Sequence, residues 1–250
     1  MWPFYGFVVA HIVTGAVGVV AFWGPILTTK GSRTHGQWGR VFNTMMLTTG
    51  TIAIAISTCT LISPLETHAH LTDPALKDPA VIRGIFGWMM LYLAILTINL
   101  AWYGWLAVVN RRDHQRNLEW RNLFLQFAVI LAALNCAVQG WLINQPLMMG
   151  ISIIGLAAGA TNLYFLYKPN RGRNDWLNEH IKALVGAGIS VYTAFFAFGA
   201  VRLMPQLALN PVLWAIPLIT GLSLILYHQR DVAKKSRPQQ TPANAAPRGG

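Results

Sequence analysis

The chain has 250 residues and a formal charge of +11, with 54% apolar residues and only 11% charged ones. A water-soluble domain carries about 25% charged residues, so this composition excludes an ordinary soluble enzyme and requires lipid to cover much of the surface. The surplus of cations would suit nucleic acid, but their positions along the chain exclude that partner.

The first apolar run, 4–28, is long enough for the ~20 residues that cross a hydrocarbon layer. It has no basic segment before it and no small-residue cleavage site, so it reads as a retained helix rather than a signal peptide. Within it, His11, Gly15 and Gly18 are spaced i, i+4, i+7 and share one helical face. That face suits close packing against a second helix, and it also suits the approach of a flat cofactor with His11 as ligand.

The stretch "TKGSRTHGQWGRVF", residues 28–41, then gathers Lys30, Arg33, Arg40 and His35 between two apolar runs. The second run, 41–62, ends in a longer polar stretch, 63–82, reading "SPLETHAHLTDPALKDPAVI". Its prolines and lack of apolar periodicity predict a structured cap or short surface helix, not a domain. In an extended segment Glu66, His68 and His70 alternate and point to one side. Carboxylate and imidazole ligands of this kind suit zinc, copper or iron, with His11 as a further ligand from the nearby membrane surface. A solvated polar loop is the alternative reading.

The third run, 82–109, leads to a loop with Arg111, Arg112, His114, Arg116 and Arg121. The fourth and fifth runs, 123–143 and 147–167, are joined by the tight turn "NQP". Lys168, Arg171 and Arg173 follow, then "NDWLNEH", which puts Asp175, Glu179 and His180 at the start of a sixth run, 181–203. Acidic residues there favour the positive end of the helix dipole. A seventh run, 207–227, contains Pro211 and Pro217, which would kink it and open a lateral groove for a lipid or quinone. From His228 onward the chain turns polar and proline-rich, so residues 229–250 are expected to form a disordered basic tail.

None of the seven runs contains Asp or Glu. Helices satisfy their own backbone in lipid, and period-two patterning is missing, so the fold class is an all-α integral membrane bundle of seven transmembrane helices (residues 1–228). In that arrangement sixteen of the nineteen Lys and Arg emerge on one side. The positive-inside rule puts that side in the cytoplasm, the N-terminus outside and the C-terminus inside. The charge knots are therefore topology anchors facing anionic lipid. Cys59 and Cys136 fall in apolar runs and read as buried thiols. Asn99, Thr161, Asn162, Ser190 and Thr193 read as polar glue between helices. Phosphate loops, H-E-x-x-H and G-x-S-x-G are missing from the sequence.

"HIVTGAVGVVAFWGPILTTKGSRTHGQWGRVF" resembles the opening of an uncharacterised bacterial family of multipass membrane proteins, with a His in the first span, Gly-Pro near its end and a His-Arg-x-x-Gly-Arg loop. The matching residues are His11, Gly24, Pro25, His35, Gly39 and Arg40, while Gly36 stands where the family has Arg. "WLNEHIKALVGAGISVYTAFFAFGA" is similar to that family's later segment, with His180 and Thr193, Ala194 and Phe195. The resemblance implies a helical bundle in a bacterial inner membrane and singles out His11, His35 and His180 as cofactor-binding positions. A more distant likeness is to the membrane cytochromes b. Only His11 lies well inside an apolar run, so two intramembrane bis-His haems cannot be built.

Three functions are compatible with these residues. The first is a redox-associated protein holding haem b or a transition metal through His35 and His180, or through His11 and the outer loop, and working with quinone or a larger membrane complex. The second is a non-enzymatic accessory or scaffold subunit, or a lipophile-binding bundle. The third is a metal-dependent membrane hydrolase with Glu66 or Glu179 as base.

Overall fold

In the computed structural model of the chain the described residues are 2–71, 77–199 and 211–236, and among them there is no strand. Seven long helices form an antiparallel bundle: α1 (Trp2–Leu27), α2 (Arg33–Ile62), α5 (Met90–Val109), α6 (Trp120–Leu142), α7 (Pro146–Tyr167), α8 (Asp175–Gly199) and α9 (Pro211–Ser236). Two short helices, α3 (Pro64–Thr67) and α4 (Pro79–Ile82), cap one end. A π-helical stretch, Arg83–Met89, joins α4 to α5 without a break. The turns follow local chemistry. The Ser32 hydroxyl caps α2 by accepting from the His35 amide at 3.1 Å, as an N-cap serine does. Pro146 opens α7 at a position where no amide proton is needed.

Among the described residues six helices are long and apolar enough to cross a membrane: Pro3–Leu27, Arg33–Ile62, Pro79–Val109, Trp120–Leu142, Pro146–Tyr167 and Val212–Lys235. They match six of the seven apolar runs. The remaining run, 181–203, lies on α8, whose first turns carry Asp175, Glu179 and Lys182. Its last four residues and the first four of run 207–227 fall outside the described residues.

The outer surface of α6 fits a bilayer. Trp120, Phe124, Leu131, Val138 and Trp141 recur at heptad spacing or close to it, and all are exposed. Trp120 and Trp141, 71% and 75% exposed, mark the two ends of the stripe. Twenty-one residues of helix separate them, about 31 Å. That equals the hydrocarbon thickness, with tryptophan at each interface.

α5 is the centre of the bundle, packed against α2, α6 and α8, while α1 lies on α2 and α9 on α8. Glycines set the closest approaches. Trp38 covers Gly24 and Phe22 covers Gly188, in each case where a Cβ has no room. His11, Gly15 and Gly18 do face a neighbour, as their spacing predicts: Gly18 lies against Met46 and Gly15 near Thr49.

The cation-bearing segments meet at one end of the bundle. The Arg111 guanidinium lies 5.6 Å over the Trp176 ring, and His114 Nε2 bonds the Leu166 carbonyl at 3.0 Å. Lys30 is within electrostatic reach of His228. At this basic end α9 departs from expectation. It stays helical to Ser236, so a disordered tail from residue 229 is incorrect for 229–236. An i, i+4 pair of Asp231 and Lys235, 2.8 Å apart, spans these turns, and Lys234 and Lys235 suit the negative end of the helix dipole. Residues 237–250 lie outside the described ones.

Candidate functional site: a histidine pair at the basic end

His35 stands in the first turn of α2, and its Nδ1 bonds the Pro25 carbonyl at 3.0 Å. The same carbonyl and that of Ile26 accept from Lys30 Nζ at 2.8 and 2.7 Å. The orphan carbonyls at the end of α1 are thereby satisfied. His180 stands in the second turn of α8, and its Nδ1 bonds the Gly104 carbonyl at 3.0 Å. Gly104 is where α5 and α8 press together. A Cβ there would lie 2.8 Å from Leu184 Cδ2 and 3.0 Å from Ala183 Cβ.

His35 lies within electrostatic reach of His180. A main-chain carbonyl only accepts, so Nδ1 is the donor in each bond, and the lone pair of a neutral ring in this tautomer lies on Nε2. Neither Nε2 has a hydrogen-bond partner among the described residues. An imidazole fixed by Nδ1–H to a backbone carbonyl, with Nε2 left over, is the usual second-shell arrangement of a metal-ligating histidine.

Beside His180, the Glu179 carboxylate accepts from the Tyr103 hydroxyl at 2.7 Å and pairs with Lys182 at 2.5 Å. Lys182 also lies 5.8 Å over the Tyr103 ring. A carboxylate held by two donors is a structural anchor, and as a hydrolytic base it would first have to release both. Asp175 stands in the first turn of α8, where the dipole argument puts an acid, and its carboxylate ties the preceding loop, accepting from the Gly172 amide at 2.9 Å and from Lys168 Nζ at 2.7 Å.

The other predicted ligands are dispersed. His11 Nδ1 bonds the Thr49 carbonyl at 3.2 Å, and the Thr49 hydroxyl donates to Thr14 at 2.8 Å. His11 therefore sits in the α1–α2 seam, on the packing face. The outer trio differs from expectation because residues 64–67 are helical, not extended. Glu66 and His70 are exposed on the cap. His68 stacks on Phe86 at 4.4 Å and meets Phe4 edge-on at 6.3 Å. Burial pushes the His68 imidazole down to about 4, and the charge of His70 adds to the effect. His11 lies seven residues from Phe4, about 10 Å along α1, and does not join this group. Among the described residues no three His, Cys, Asp or Glu side chains are grouped so as to hold a metal ion. Cys59 and Cys136 are free thiols, the latter buried.

One feature of the interior went unread in the sequence as a unit. Asn99, Gln126 and Asn162, from α5, α6 and α7, are all fully buried. Asn162 Nδ2 donates to Gln126 Oε1 at 3.0 Å and to Asn99 Oδ1 at 3.3 Å. Gln126 Nε2 continues to Asn122 Oδ1 at 3.2 Å, and Asn122 Nδ2 to the Asn117 carbonyl at 2.7 Å. Asn117 also accepts from Asn110 at 2.9 Å and donates to His114 Nδ1 at 3.4 Å. A ladder of amides thus descends from the basic end to the middle of the bundle. The i, i+4 spacing of Asn122 and Gln126 at the start of the fourth run was the available signal.

No family model, no curated protein and no solved structure matches the chain.

Proposed function

We propose that the chain is a seven-span protein of a bacterial cytoplasmic membrane that binds haem b through His35 and His180 and exchanges electrons with quinone or a partner complex. In this reading α8 is the seventh span, the basic end faces the cytoplasm, the N-terminus lies outside and the C-terminus inside. The gathering of cations at one bundle end supports that orientation through the positive-inside rule.

The observation that carries the cofactor reading is that the His35 and His180 imidazoles are each pinned by Nδ1 to a carbonyl of a different helix, with Nε2 unused among the described residues. His35 and His180 would hold the haem through their Nε2 atoms, and the haem iron would supply one-electron chemistry there. A structural zinc site needs about four protein ligands, and the lack of any three-residue ligand group among the described residues makes haem the better fit than a bare ion. The test is an optical spectrum with metal analysis of the full chain purified in mild detergent. Haem binding gives a Soret band and iron near one per chain, both lost in His35→Gln and His180→Gln and both kept in His11→Gln. A colourless, metal-free chain sinks the reading, and so does a Soret band indifferent to both substitutions.

The accessory-subunit reading has its own support in the amide ladder and the tight glycine contacts, which hold helices together without any ligand. It predicts that His35→Gln and His180→Gln leave the chain's co-purification with a larger membrane complex unchanged.

A further inference from the structure

One face of α9 changes character along its length. Val212, Ile216, Ile219 and Leu226 are apolar and exposed, as suits a helix against lipid. In steps of four the same face continues from Leu226 to Arg230 and Lys234, both exposed. There a half-open groove of about 440 Å³ is lined by Ser223, Leu226, Tyr227, Arg230, Asp231 and Lys234. The wall nearer the middle of the helix is apolar and aromatic, and the wall nearer its end carries charge. The groove lies on the basic side of Pro217, more than a turn beyond the proline.

Charge selects the occupant. The Asp231 carboxylate is held by Lys235 at 2.8 Å, and Lys234 adds a longer-range pull on the same group. Arg230 makes no ion pair among the described residues, so the groove keeps a surplus of positive charge. A neutral quinone would leave these cations unmatched. A zwitterionic headgroup would bring its own ammonium against them, with the one acid already engaged. A phosphate without an amine matches the wall. Length agrees as well. Ile219 and Arg230 are eleven residues of helix apart, about 16 Å. Half of a ~30 Å hydrocarbon layer is about 15 Å, so an acyl chain laid on the apolar stripe spans one leaflet while its phosphate meets Arg230. Tyr227 then sits at headgroup level, where tyrosine is favoured.

We propose that this face of α9 holds one anionic phospholipid from the leaflet at the basic end, with its phosphate between Arg230 and Lys234 and an acyl chain along Leu226 and Ile219. The site uses none of the histidines and stands apart from the haem reading.

The test titrates the full chain, delipidated in mild detergent, with phosphatidylglycerol or with phosphatidylcholine of the same acyl chains, and counts bound lipids by native mass spectrometry. The first phosphatidylglycerol is expected to bind more tightly than phosphatidylcholine. Each cation near an anionic headgroup contributes about fivefold to binding, so Arg230→Gln combined with Lys234→Gln is expected to lose about 25-fold for that first lipid. Arg112→Gln combined with Arg173→Gln removes the same charge from loops at the same end and is expected to leave its affinity unchanged. All four residues are exposed, so the fold tolerates both double variants. Inorganic phosphate is expected not to compete, because the apolar stripe supplies part of the binding. Equal affinity for the two lipids overturns the proposal, as does an equal loss in both double variants. Displacement of the lipid by inorganic phosphate or by a short-chain quinone overturns it too.

Discussion

The two ends of the bundle use histidine differently. At the basic end the rings of His35 and His180 are tied to main-chain carbonyls of α1 and α5. Polar side chains bond around them: Tyr103 of α5 to Glu179 of α8, Glu179 to Lys182 within α8, and Asn110 at the end of α5 to Asn117 in the loop that follows. At the capped end His68 rests on Phe86 and His70 stands exposed. Contacts there are mostly apolar, such as Ile143 against Gly84 and Leu61 against Gly87. His68 is held through Nδ1 as well, by the Thr67 hydroxyl at 3.0 Å, so the contrast lies in the anchor: main-chain carbonyls of another helix at the basic end, the neighbouring side chain and an aromatic face at the capped end. Fixed lone pairs are what a binding site needs, and the proposed ligands have them.

The sharpest way to break this comparison is to remove Glu179. Glu179→Leu leaves the Tyr103 hydroxyl without its partner and Lys182 with only the Thr161 hydroxyl at 3.3 Å, in a mostly buried setting, and the loss of one partner of such a pair is expected to cost about 2–3 kcal/mol. Thermal unfolding in detergent measures it, with Glu179→Gln costing less because the amide oxygen still accepts from Tyr103. An equal loss from His68→Leu at the capped end would erase the distinction.

A smaller effect tests packing near the capped end. A Cβ at Gly155 would fall 2.6 Å from the Tyr92 hydroxyl oxygen, so Gly155→Ala displaces that ring and breaks its bond to Ile151. Overpacking of this kind costs about 1–3 kcal/mol. Tyr92→Phe, which removes the bond and keeps the packing, is expected to cost about 1 kcal/mol. The difference between the two variants in the same unfolding assay isolates the steric share.

The contrast between the ends also explains what the sequence disclosed. Apolar run length located six helices long and apolar enough to cross a membrane, because the constraint acts on one segment at a time, and a bilayer sets the same length for each. The seam face of His11, Gly15 and Gly18 was legible for the same reason, through helical period alone. The pairing of His35 with His180 was suggested only by the family resemblance, not by spacing: the residues lie 145 positions apart, and the Pro25 and Gly104 carbonyls that hold the rings leave no sequence mark. The outer trio misled because alternation implies one side only in extended chain. Pro64 instead starts a helical turn there. In the amide ladder, Asn99 and Asn162 were visible as glue, whereas Gln126 and Asn122 sit near a span boundary where polar residues are ordinary.

The smallest expected effect is a pH response confined to the capped end. Burial against Phe86 holds the His68 ring neutral down to about 4, against an ordinary value near 6.5. As pH falls below 6.5 an opened cap takes up a proton that the closed cap refuses. Stability of the cap is therefore complete above that pH and declines progressively towards pH 4, where it levels off. The ring is half-buried, so water screens much of the penalty and the loss is expected to stay under about 1 kcal/mol. Hydrogen exchange at residues 64–68, corrected for the intrinsic pH dependence, is expected to show protection falling between pH 6.5 and 4. His68→Phe keeps the stacking without the titration and flattens that profile. The same pH range is expected to leave protection in α5 and α7 unchanged, since the amides that join them do not titrate. A parallel loss of protection there would mean that the two ends are coupled, and the division of the bundle into a packed end and a networked end would fail.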